Sequence, residues 1–203
     1  MVYKFVVVLF LAVACTSIHA QNWDVNTVKF INPQNPDSRF FRKTSSSVYF
    51  IGTGAPVGLL LAGVIRKDSS LKFKSYEMFG AAITELTVSA LMKIAINRPR
   101  PDEKYPADIY PYRDATGKSM PSGHTSLAFA TAASLSLQFK KWYVVIPSYL
   151  WAASVGYSRM YLGVHYPSDI AAGAAVGVGS AYLANWLNRR FFQKKMALRK
   201  KVQ

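Results

Sequence analysis

Three short clusters between Lys93 and Asp169 hold nearly all the residues of this chain that can do chemistry on a phosphate. They read KIAINRPRP from Lys93 to Pro101, PSGH from Pro121 to His124, and SRMYLGVHYPSD from Ser158 to Asp169. Together they supply two histidines, a carboxylate four residues after the second histidine, and several cations able to surround a compact anion. That combination suits phosphoryl transfer through a histidine.

Ser122, ahead of Gly123, His124 and an apolar run, is placed as a helix N-cap, with Pro121 marking the turn into the helix. The first turn of such a helix leaves backbone N–H groups unpaired and presents a positive dipole end, which suits an anion. Gly123 lets that backbone approach a phosphate, and His124 stands beside it. In the third cluster Pro167 disfavours a helical Tyr166 and fits a first helical turn, so His165 falls in a loop and Asp169 near a helix start. The carboxylate can then accept the N–H of one imidazole nitrogen and leave the other free to attack. Arg159, at the opposite end of that loop, offers a planar fork of donors. Lys93 lies near the end of its helix, and Arg98 and Arg100 both precede prolines in the loop beyond. Each feature alone has a plain structural explanation: a capped helix with an incidental histidine, a helix-start carboxylate, a lysine reaching for an interface. Their combination favours chemistry.

The elements that must position these residues are helical. A length of 203 residues with 51% apolar composition suits one domain. The formal charge of +15 does not form a basic patch interleaved with aromatics, which argues against nucleic acid as a partner; many of the cations sit just outside apolar runs instead. The single cysteine, Cys15, excludes an intramolecular disulfide. Met1 to Ala20 has Lys4, an apolar run from Phe5 to Cys15 and a small residue before Gln21, the pattern of a secretory signal peptide. A run of roughly 11 residues at about 1.5 Å each spans only half of a ~30 Å hydrocarbon layer. Cleavage after Ala20 is therefore favoured over a permanent span, and over acylation at Cys15, where Ala12 occupies a position usually filled by a larger aliphatic residue.

Residues 21–47, with Asn-Pro pairs and a Thr-Ser run, read as a turn-rich, outward-facing segment with room for one short interfacial helix, and no chemistry is assigned to them. Five apolar stretches follow, Val48 to Ile65, Tyr76 to Ile96, Thr125 to Phe139, Trp142 to Tyr157 and Ile170 to Leu187, without strand-like alternation. The expectation is an all-α, membrane-embedded bundle of about five transmembrane helices over residues 48–188, then a basic cytoplasmic tail over 189–203. Against it stand the shortness of several stretches, Glu85 in the middle of one, and a mean hydropathy of only +0.10. In its favour, placing the loop from Arg98 to Pro121 outside puts Arg66 to Lys74, Lys140-Lys141 and the tail inside. Those segments hold 13 of the 25 Lys and Arg residues.

The chain resembles the type-two phosphatidate phosphatase superfamily, which also includes bacterial acid phosphatases and vanadium haloperoxidases. The family pattern, Lys with six residues before Arg-Pro, then Pro-Ser-Gly-His, then Ser-Arg with five residues before His and three before Asp, falls without departure on Lys93, Arg100 and Pro101, on Pro121 to His124, and on Ser158, Arg159, His165 and Asp169. Its spacing selects Arg100 over Arg98. The resemblance implies His165 as nucleophile, Asp169 as its orienting group, and His124 as proton donor to the leaving oxygen and later activator of water. It implies Lys93, Arg100, Ser122, Gly123 and Arg159 as the phosphoryl cradle, and neither metal nor cofactor. With membrane spans, the expected partners are membrane lipids, and the expected substrates are lipid phosphates or polyprenyl diphosphates. The candidates are polyprenyl diphosphate, phosphatidate, phosphatidylglycerol phosphate and lipid A phosphate, met at the outer face of a bacterial-type inner membrane. A soluble secreted acid phosphatase and a vanadium-dependent haloperoxidase would use the same residues; haloperoxidases are typically much longer chains, and a non-catalytic binding protein would have lost some motif residue.

Overall fold

A computed structural model describes residues 19–113 and 116–190; residues 1–18, which hold Cys15 and most of the signal peptide expected over residues 1–20, and the basic tail beyond residue 190 lie outside the described residues. Every regular element among the described residues is helical: α1 (His19–Ile31), α2 (Arg39–Ile65), α3 (Ser69–Ile96), α4 (Pro101–Lys104), α5 (Gly123–Phe139), α6 (Trp142–Tyr161) and α7 (Pro167–Asn188). The ends follow local chemistry. Asp68 caps α3 by accepting from the Ser70 N–H at 2.7 Å and the Leu71 N–H at 3.4 Å. Asn97 closes α3 in the left-handed conformation, φ 51°. Pro167 opens α7 at a position where its missing N–H costs nothing.

Residues 21–47 are more helical than the sequence suggests. The Asn-Pro pairs do break the chain between α1 and α2, but the Thr-Ser run from Thr44 to Ser47 lies inside α2. There Ser46 and Ser47 donate back to carbonyls of the preceding turn, which removes the competition that usually draws such residues into turns.

α5 is the central helix, packed against α2, α3, α6 and α7. Its buried face is made of small residues, Ala128, Ala130, Ala132, Ala133 and Ser134. The α5–α7 approach is closer still. A Cβ on Gly177 would overlap the Ser126 carbonyl oxygen and one on Gly173 would stand 2.7 Å from that of Ser122, so only glycine lets these backbones meet. α2, α3 and α7 are long and apolar enough to cross a membrane. α5 and α6, at 17 and 20 residues, do not reach the same combination of length and hydropathy. For α5 the reason is its place: a helix surrounded by other helices needs small residues for packing rather than large ones for lipid.

The outward faces carry large apolar side chains in the open, among them Phe50 (79% exposed), Ile65 (80%), Ile94 (78%) and Trp142 (74%). Such a surface is stable against lipid and unfavourable in water. Glu85 does not lie on a solvated face. It is buried, and its Oε1 accepts from the Ser89 hydroxyl at 3.1 Å. The helix directions put the ends of α3 and α6 and the starts of α5 and α7 at one end of the bundle, together with the three motif clusters. The basic turns 66–68 and 140–141 lie at the other end.

Candidate active site

His165 sits in the loop between α6 and α7 and is buried, 2% exposed. Gly163, at φ +75°, makes the turn that brings it there; a Cβ at that position would stand 2.7 Å from the Tyr110 carbonyl oxygen. The His165 Nδ1 faces the Asp169 Oδ2 at 3.5 Å, and its Nε2 lies 3.3 Å from the Arg100 Nη1. A guanidinium can only donate, so Nε2 accepts, and Nδ1 carries the hydrogen toward the carboxylate. The nitrogen that carries the lone pair thus faces Arg100, one of the cations.

Those three cations come from two helix ends, those of α3 and α6. Arg100, just beyond α3, is buried, and its guanidinium donates to the carbonyls of Gly117 (2.9 Å), Thr116 (3.0 Å) and Val164 (2.9 Å). Lys93, in the last turn of α3, donates to the Lys118 carbonyl at 2.5 Å. Arg159, in the last turn of α6, donates from Nη1 to the Ser45 hydroxyl at 2.7 Å, while its Nε is sealed from solvent without a partner. Carbonyls and a hydroxyl solvate these charges without cancelling them, so the cluster keeps a net attraction for an anion.

His124, half-buried in the first turn of α5, meets the Tyr49 ring edge-on with centroids 5.0 Å apart. The charges of Arg159, Arg100 and Lys93, and the His165 ring, all act on it. Ser122 does occupy the N-cap position, yet its side chain does not cap the helix; it accepts from the Thr125 hydroxyl at 2.9 Å, and its N–H donates to the Asp169 carbonyl at 3.1 Å. The first N–H groups of α5 are therefore left to an external acceptor. All eight motif residues, Lys93, Arg100, Ser122, Gly123, His124, Arg159, His165 and Asp169, come to the same end of the bundle.

Four further residues belong to the constellation. Asp169, itself wholly buried, also accepts from the Ser119 hydroxyl, from the Tyr166 N–H at 2.9 Å and, at Oδ1, from the Arg98 Nη1 at 2.7 Å. Arg98, passed over by spacing, is bound in turn to Asp24 of α1 at 2.8 Å. Ser45, which holds Arg159, also lies in the segment to which the sequence assigned no chemistry. Only a run of alternating cation and proline hinted at Arg98; nothing in the sequence marked Asp24, Ser45 or Ser119.

Burial lowers the His165 imidazole to about 4, against the opposing pull of Asp169. Because the folded value lies below the ordinary value of about 6.5, the ring is neutral and able to attack through the whole physiological range. Its burial adds stability that is present above about pH 6.5 and is lost as pH falls toward 4. A histidine NMR titration in detergent, with His165 assigned by its absence in His165→Gln, should give a midpoint near 4; a midpoint near 6.5 would contradict this environment.

The chain matches the PAP2 superfamily over residues 76–193, and it belongs to that family. It is 30% identical over 149 residues to a lipid A 1-phosphatase of Rhizobium johnstonii, a match covering 70% of this chain and 59% of that protein. It thus spans less than two thirds of the length of curated relatives it matches. Among solved structures it is similar to Aquifex aeolicus LpxE, with TM-score 0.62, 25% identity and coverage of 80% of this chain and 94% of that one. The fold is also that of a transmembrane PAP2-type phosphatidylglycerolphosphate phosphatase from Bacillus subtilis, with TM-score 0.67, 22% identity and coverage of 94% and 96%. With its apolar helices and exposed apolar faces, the chain is a multi-pass membrane protein.

Proposed function

We propose that this protein is a phosphatase that hydrolyses lipid phosphate monoesters or polyprenyl diphosphates through a phosphohistidine. The observation that carries the reading is the His165 imidazole, with Nδ1 toward Asp169 and Nε2 toward Arg100 in a pocket of incompletely balanced cations. In the first step the Nε2 lone pair bonds to phosphorus, the bond from phosphorus to the ester oxygen breaks, and His124 gives that oxygen its proton. In the second, His124 takes a proton from water, the water oxygen bonds to phosphorus, and the phosphorus–nitrogen bond breaks to release phosphate. Lys93, Arg100, Arg159 and the first N–H groups of α5, with Ser122 and Gly123, hold the non-bridging oxygens and offset the charge that grows on them. The exposed apolar faces favour a lipid over a soluble ester as substrate, and the likeness to a lipid A 1-phosphatase supports the same choice.

Protein cations stand where a metal would otherwise balance charge, and among the described residues no three His, Cys, Asp or Glu side chains are grouped to hold one. Phosphate release from a panel of purified lipid phosphates is therefore expected to persist in excess chelator. Vanadate, which mimics five-coordinate phosphorus, should inhibit it. Activity abolished by chelator and restored by magnesium, or absent on every lipid phosphate, would sink the reading.

The site is proposed to face outward across five spans, as the basic inner turns suggest. A cysteine placed at Asp108, which is about half exposed in an ion pair with Lys29, should react with an impermeant thiol reagent in intact cells once the outer barrier is opened. One at Ser70 should not. The reverse pattern would place the site on the cytoplasmic side.

A further inference from the structure

α1 precedes the region that matches the family, yet it delivers a carboxylate into the back of the site. Asp24 is 3% exposed, and both of its oxygens are used. Oδ2 accepts from the Arg98 Nη2 at 2.8 Å and from the Ser168 hydroxyl; Oδ1 accepts from the Ser168 N–H at 3.0 Å. Arg98 donates from Nη1 to the Asp169 Oδ1 and to the Ser168 hydroxyl, both at 2.7 Å, and its guanidinium lies 4.0 Å over the Tyr166 ring centroid. The other Asp169 oxygen is the one that faces His165. A chain of alternating charge therefore runs from the His165 ring through Asp169 and Arg98 to Asp24.

Each link depends on the next. A wholly buried carboxylate that must stay ionised beside an imidazole needs a cation, and Arg98 supplies it with a planar fork that also fixes the carboxylate plane. Asp24 holds the Arg98 Nη2 at 2.8 Å. The rest of α1 is anchored independently of this contact. Val25 and Val28 pack with Ile109 and Tyr166, and the Asn32 side chain donates to the carbonyls of Tyr110 (2.9 Å) and Tyr161 (2.8 Å) while accepting from the Tyr110 N–H at 2.8 Å. The helix is thus built to keep Asp24 in place rather than to be kept in place by it.

We propose that Asp24 is a positioning residue of the active site, acting through Arg98 to fix the Asp169 carboxylate that orients His165. This rests on the reading of His165 as the nucleophile. Held by Asp24 at Nη2, the Arg98 fork braces Asp169 from Nη1.

The test is single-turnover phosphoenzyme formation from para-nitrophenyl phosphate by the full chain in detergent. The unmodified protein is compared with Asp24→Asn, Asp169→Asn and the double variant. Asp24→Asn keeps size and an acceptor for Ser168 but removes the charge that holds Arg98. It is expected to lower the rate constant at saturating substrate by about 10-fold, with the half-saturating substrate concentration changed by less than about 3-fold, because the loss falls on orientation and not on binding. In the Asp169→Asn background the same substitution should matter by less than about 3-fold, since the charged carboxylate it serves is gone. If Asp24→Asn does not accumulate, Arg98→Lys, which keeps a charge but not a fork, replaces it with the same two expectations. A rate equal to that of the unmodified protein, a loss confined to substrate affinity, or full additivity with Asp169→Asn would overturn the role of Asp24. Failure of the unmodified protein to form a phosphoenzyme at all would instead overturn the nucleophile assignment on which it rests.

Discussion

His165→Ala is expected to abolish hydrolysis of lipid phosphates and of an activated aryl phosphate alike, on the order of 10⁴-fold or more, because it removes the group that bonds to phosphorus in the first step whatever the leaving group. His124→Ala should behave differently. General-acid help matters most when the departing oxygen is strongly basic, as a lipid alkoxide is, and least for a stabilised aryl oxide. The variant should therefore lose phosphoenzyme formation from a lipid phosphate by roughly 10²- to 10⁴-fold while forming it from the aryl ester within about tenfold of the normal rate. Single-turnover measurement is required, since loss of the group that activates water would stall the cycle after a burst. Asp169→Asn should resemble a weakened His165 variant, with the ring held in the wrong tautomer. Equal loss across leaving groups in His124→Ala would refute the acid role and leave that ring only a share in binding phosphate.

The second large effect is expected at Arg159, and it has two signs. The Arg159 Nε is buried without a hydrogen-bond partner, and its one described bond is to the neutral Ser45 hydroxyl. Leaving a buried donor unmet costs about 1–3 kcal/mol in the free protein, and a charge-assisted bond to an anion recovers it on binding. Arg159→Met, similar in length and able to pack where the stem lies, is therefore expected to stabilise the ligand-free protein by about 1 kcal/mol. The same change should weaken vanadate binding by roughly 10- to 100-fold through loss of a charge-assisted interaction. The crossing is best seen in unfolding curves. Without vanadate the variant should unfold later than the unmodified protein, and with saturating vanadate earlier, because ligand stabilises only the protein that binds it well. A variant less stable under both conditions would show that Arg159 serves packing rather than anion binding.

How far each feature could be read before folding depends on whether its cause was local. The starts of α5 and α7 were legible because Pro121 and Pro167 act on their own backbone. The loop placement of His165, beside Asp169 at the start of α7, followed from the same proline. Legibility failed where neighbours override local preference. Thr44 to Ser47 carry turn residues, yet α2 runs through them because their hydroxyls satisfy the preceding turn. Glu85 stands against a membrane span by its charge alone, and its burial beside Ser89 was decided by how α3 packs against α5.

The sequence by itself determined the helical class, the eight motif residues and the end of the bundle at which they gather. Proline placement, apolar periodicity and basic turns each act within a few residues, and the motif spacings are properties of the chain. Only the tertiary structure decided which of Arg98 and Arg100 faces which partner: Arg100 turns to the His165 Nε2, and Arg98 turns to Asp169 and Asp24. It alone brought Asp24, Ser45 and Ser119 to the site from 145, 114 and 50 residues away from Asp169, Arg159 and Asp169 respectively. The reason is physical. A buried carboxylate or guanidinium takes whatever partner the packing brings within about 3 Å, and packing at that distance is set by helices that are remote in the chain.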